Sequence, residues 1–124
     1  MRISYLAAAA FLLPAAADAQ SMNAEAFHQR ATALQEKGML ALFSSDVRLL
    51  MAEAEAAGKQ SRQLQLAAIK AGQKPRYCPP ADKPKIGSGE FMTRLSAIPA
   101  NERARIDMTE AMTRILGAKF PCPS

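Results

Sequence analysis

The 124-residue chain has no tryptophan, one histidine and two cysteines, and each scarcity removes a class of chemistry. Beyond the first twenty residues the aromatics are Phe27, Phe43, Tyr77, Phe91 and Phe120. None alternates with basic residues as a base-stacking platform requires, so nucleic acid is not an expected partner despite the net charge of +5. The two cysteines stand 44 positions apart, a spacing that suits neither a CxxC redox pair nor a zinc knuckle. There is no glycine-rich phosphate loop and no GxSxG-type nucleophile. β-branched residues are few, which argues against sheet. The one long apolar run, Ile3 to Ala17, is interrupted by Pro14 and falls short of the roughly 20 residues a spanning helix needs. No stable membrane anchor is therefore expected.

That apolar run makes sense as an export signal. Arg2 and the amino terminus form its positive end, and Ala17-Asp18-Ala19 has the small-x-small form of a cleavage site. We place residues 1–19 in a cleavable signal peptide and residues 20–124 in one mature domain, periplasmic or secreted after cleavage near Ala19. A domain of about 105 residues buries a limited core and benefits from a staple. Export delivers it to an oxidising compartment, where Cys78 and Cys122 are expected to pair.

Alanine, leucine, methionine, glutamate, lysine and arginine dominate the remainder, and all of them favour helix. Asn23 is placed to cap a first helix, about Ala24 to Lys37, with Met22 and Phe27 spaced as a hydrophobic staple and Gly38 as its stop. Met39 to Phe43 reads as a short helical turn packed into the core. Ser44, Ser45 and Asp46 then start another helix. The stripe Val47, Leu50, Ala54, Ala57, Ser61, Leu64, Ala68, Ala71 keeps its phase across Gly58, which predicts one long helix from about Asp46 to Ala71. The small residues around Gly58 suit the close approach of another helix. A proline-rich linker follows. Ser88 is expected to cap a short helix through Ile98, Ala100 to Arg105 to form a further step, and Asp107 with Glu110 to open the last helix as a capping box. The expected fold is all-α: a small bundle of about four helices, one of them long, closed by a single disulfide.

The candidate chemistry is sparse. His28 sits at the edge of the Phe27 stripe with no orienting partner evident, and an enzyme would need it in a pocket beside a carboxylate. Of the seven methionines, Met1 belongs to the expected signal and the rest fall at helical spacing without a nearby histidine or cysteine, which favours packing over copper binding. Neither a catalytic residue nor a cofactor nor a metal is expected. Lys70, Lys74, Arg76, Lys83 and Lys85 cluster around Cys78 with only Asp82 opposing them. Of these, Lys74, Arg76, Lys83 and Lys85 are the candidate partner-binding residues, because a stiff basic loop loses little entropy on meeting an acidic protein.

The two cysteine environments, Tyr77-Cys78-Pro79-Pro80 and Phe120-Pro121-Cys122-Pro123, with the helices between them, resemble the C-terminal half of the Rap/Tai-type immunity proteins linked to type VI secretion. That resemblance implies a small, helical, periplasmic, disulfide-bonded scaffold. It further implies a partner among peptidoglycan amidase effectors, which members of that family bind and block. The expected function is accordingly a non-catalytic protein-binding role, possible toxin neutralisation included. The alternative is a general envelope or stress module with no toxin partner.

Overall fold

Residues 21–82 and 85–124 are described in a computed structural model of the chain. Residues 1–20, with the expected signal and its cleavage site, lie outside the described residues, as do Lys83 and Pro84. Five α-helices and one 3-10 turn account for the described fold: α1 (Ala24–Lys37), the turn (Gly38–Phe43), α2 (Ser45–Lys70), α3 (Ser88–Ala97), α4 (Ala100–Arg103) and α5 (Met108–Lys119). The fold class is all-α, as the composition predicts.

Local chemistry sets the boundaries. The Asn23 side chain accepts hydrogen bonds from the amides of Glu25 and Ala26 at 3.0 and 3.1 Å, satisfying donors that a helix start leaves open. Ser44 does the same for Asp46 at 3.2 Å. α2 ends where Gly72 adopts φ +74°. The amides of Gly72 and Gln73 reach back to the carbonyls of Ile69 and Ala68, the paired bonds of a left-handed helix stop. Asp107 accepts from the Glu110 amide at 2.8 Å, but only this half of the expected capping box forms. The Glu110 carboxylate turns instead to Arg76 and Arg114. Ser88 proves to be the first residue of α3 rather than its cap, a position Gly87 takes without a side-chain bond.

α2 is continuous through Gly58. An interior glycine costs about 1 kcal/mol, which its packing on α5 absorbs. Buried Leu50, Ala57, Ser61 and Gln65 face inward. Leu64, expected in that stripe, is exposed, and Gln65 takes the inward place. The physical reason is what lies opposite: the Gln65 amide donates to the Tyr77 carbonyl at 3.3 Å, a group leucine would leave unpaired. Beside it Ser61 and Thr113 share a buried hydrogen bond of 2.9 Å.

The core joins all the long elements. Phe27 of α1 meets Phe91 of α3 edge to face at 5.8 Å, over Leu95, Met108 and Ile115. The starts of α1 and α5 are stitched by backbone bonds, Ala24 to Ile106 at 2.9 Å and Met108 to Met22 at 2.7 Å. The Cys78–Cys122 disulfide is present. With the Cys78 amide bonded to the Phe120 carbonyl at 2.8 Å, it ties the exit of α2 to the end of α5. No described helix is long and apolar enough to cross a membrane.

Candidate functional site

The basic loop around the disulfide divides on folding. Arg76 grips Glu110 with both guanidinium nitrogens, at 2.5 and 2.7 Å, so its charge is answered within the chain. That contact, with a second from Arg114, holds the Glu110 carboxyl below its ordinary range against the opposing effect of burial. Lys74 and Lys85 are exposed, and Lys83 lies outside the described residues. Lys85 adjoins Ile86, which lines the groove described below.

His28 has neighbours that the sequence reading overlooked. Its Nε2 and the Ser96 hydroxyl share a hydrogen bond of 3.0 Å, and its Nδ1 lies 3.7 Å from Glu25. The i,i+3 spacing of Glu25 and His28 was the available signal for the carboxylate. Serine, histidine and glutamate thus stand in the order of a hydrolytic triad, but the geometry serves packing. The 3.7 Å gap is too long for a hydrogen bond. The other Glu25 oxygen accepts from Arg103 Nε at 3.1 Å. Ser96 sits in the last turn of α3, where carbonyls rather than amides project, so no backbone donors face a developing oxyanion. Neither of the two cavities described below is lined by these residues.

Arg103, unremarked in the sequence, is buried. Its Nη1 donates to the carbonyls of Leu95, Ser96 and Ile98, closing the open end of α3. No group of three or more histidine, cysteine, aspartate or glutamate residues among the described residues is arranged to hold a metal. The smaller cavity, about 230 Å³, is bordered by groups already bonded to one another: Ser61 with Thr113, Gln65 with Tyr77 and Arg76 with Glu110.

The other cavity has a different character. α2 and α3 both pack on α5, and between them lies an open groove of about 1030 Å³. α1 contributes Phe27, Ala31 and Leu34, and α2 contributes Val47, Leu50, Met51, Ala54 and Gly58. Ile86, Phe91 and Met92 line the opposite wall, with Met112 and Leu116 from α5. At its edge stands the 3-10 turn, and here the expectation of core packing is overturned. Met39 and Phe43 are 82% and 89% exposed, Leu40 and Leu42 are exposed with them, and only Ala41 turns inward. The six-residue turn between α1 and α2 buries only Ala41 against the core, so its larger side chains project. Sequence reasoning missed this groove because apolar residues lining an open cleft have the same periodicity as apolar residues in a core.

Searches against family models, curated proteins and solved structures find no match to this chain.

Proposed function

We propose that the mature chain is an exported, non-catalytic binding protein whose apolar groove receives a protein partner. The groove with its exposed rim carries this reading. Soluble monomers rarely expose a contiguous apolar patch larger than a few hundred Å² without using it for contact. The Cys78–Cys122 disulfide supports export, since such bonds persist in oxidising compartments. The partner class we propose is a peptidoglycan-amidase-type effector, which the chain would neutralise as an immunity protein. Support for that class comes from the Tyr77-Cys78-Pro79-Pro80 and Phe120-Pro121-Cys122-Pro123 motifs alone. The test is titration calorimetry of residues 20–124 against the cell-wall amidases encoded near its gene, alongside a peptidoglycan-hydrolysis assay. One-to-one binding that abolishes hydrolysis is expected. Undiminished hydrolysis at excess chain would overturn the amidase assignment.

A second reading, an envelope stress module with many clients, draws on one observation. The rim residues Met39, Leu40, Leu42 and Phe43 form an adaptable surface of the kind promiscuous binders use. It predicts weak binding to several unrelated unfolded proteins in place of one stoichiometric complex.

A further inference from the structure

We infer that the occupant of the groove is an amphipathic helix of about three turns, acidic on its outer face, that seats against α2 at Gly58. This rests on the proposal that the chain is a binding protein and specifies what it binds.

The shape of the site excludes other modes. A small apolar ligand in the groove would leave Met39, Leu40 and Phe43 in water, because these lie outside its lining. Met39, Leu40, Leu42, Phe43 and Met51 are 61–89% exposed, and a run of large apolar side chains left in water beside a groove is what a protein partner covers. An extended strand needs a free sheet edge, and the described residues form no sheet. A polyproline segment needs an aromatic-lined trough, and the two phenylalanines in the lining are buried. Helix in groove is the mode that remains, with anchors at three- and four-residue spacing.

Dimensions and backbone agree. The α2 wall runs from Val47 to Gly58, about 16 Å at 1.5 Å per residue. Gly58 on α2 and Gly89 on α3 both line the groove, and a Cβ built on either meets nothing within 4 Å. Among the described residues no neighbour requires glycine there, and the openings let a second helix approach both walls. Exposed Lys37, Arg48, Lys59 and Lys85 neighbour lining residues along the chain, as do Glu36 and Asp46, and Glu55 is itself in the lining. The net charge of +5 on the whole chain favours an acidic outer face on the visitor, turned away from Glu55.

The experiment uses residues 20–124 and a fluorescein-labelled fourteen-residue helical peptide with leucines on one face and glutamates on the other. Controls are a scrambled peptide of the same composition and a lysine-for-glutamate version. Anisotropy should show the patterned acidic peptide binding at least tenfold tighter than the scrambled one. Binding should weaken severalfold with the lysine face, and the bound peptide should turn helical by circular dichroism. G58L and G89L should each weaken binding at least tenfold without lowering the melting temperature. Equal binding of patterned and scrambled peptides, or full binding by both groove variants, would sink the inference. So would a homodimer in sedimentation that G58L dissociates, which makes a second copy the occupant. Phosphatidylglycerol vesicles that capture the wild-type chain but not G58L, without peptide binding, would likewise replace the helix by a lipid surface. An amidase complex indifferent to G58L and G89L overturns this inference, and with it the groove as the interface, and leaves the amidase assignment standing. Groove-dependent peptide binding with no amidase complex does the reverse.

Discussion

At the residue scale, Arg76, Arg103, Arg114 and Lys119 act as fasteners between elements. Arg103 joins Glu25 of α1 to the carbonyl end of α3, with its side chain 8% exposed and that of Glu25 19% exposed. R103A should therefore cost about 3 kcal/mol in urea unfolding, because it strands a partly buried carboxylate and three carbonyls. R103K should recover less than half of that, since an ammonium lacks the guanidinium's planar fork. Arg76 and Glu110 give a smaller, pH-dependent effect. The Glu110 carboxyl is depressed in the folded state, first by Arg76. It therefore adds stability that is fully present above the unfolded value near ~4.3 and lost as pH falls through the lower folded value. The Arg76 side chain is 58% exposed, so R76A should cost under ~1 kcal/mol at neutral pH and flatten the acid limb of a melting-temperature profile. An unchanged acid limb would count against the pair. Asn23 as a cap was legible in the sequence because capping is local chemistry, and the cap Ser44 falls within the Ser44-Ser45-Asp46 start read there. Arg103 was not legible, because its partners stand 5, 7, 8 and 78 positions away along the chain.

At the scale of elements, two helical glycines separate two meanings of the same residue. Gly58 in α2 faces open space, whereas a Cβ on Gly117 in α5 would lie 3.1 Å from the Arg76 carbonyl oxygen. G58A should raise stability by about 0.5–1 kcal/mol through helix propensity alone. G117A should lower it by about 1 kcal/mol, because the loop it would push is pinned by Cys78. Thermal melts of the two variants check this, and opposite signs are the expected result. The continuity of α2 could be read from phase, since its three- and four-residue steps do not reset at Gly58. The expected role of the small residues there was only half right. Ala57 and Ser61 are buried on the side that meets α5, while Gly58 lines the open groove. Periodicity shows that a stripe is apolar and says nothing of what stands across from it. Leu64 and Gln65 exchanged their expected places for the same reason, the deciding partner being a loop carbonyl.

For the whole molecule, stability and the proposed binding draw on different surfaces. The disulfide closes a 44-residue separation, for which loop-closure entropy gives about 4 kcal/mol. A C78S/C122S chain should lose most of that and melt well below the oxidised protein. The all-α class and this bridge followed from composition, the expectation of export and the cysteine count, which are readings of the chain as a whole. The groove is a property of the assembled surface, and no window of sequence contains it. Its rim makes the clearest separation of roles. Leu40 and Phe43 are largely exposed, so they contribute little to folding, and exposed substitutions usually change stability by less than ~0.5 kcal/mol. L40S/F43S, costing about 1 kcal/mol at most for the two changes together, should therefore melt within about 5 °C of the parent and lose at least tenfold in affinity for the proposed partner. A comparable drop in melting temperature would mean that the turn packs into the core after all. If Met39, Leu40, Leu42 and Phe43 were merely an unfilled edge of the fold, serines there would improve solubility and leave binding intact. Loss of binding at constant stability is the outcome that makes this edge an interface, because only a partner's surface would then register the change.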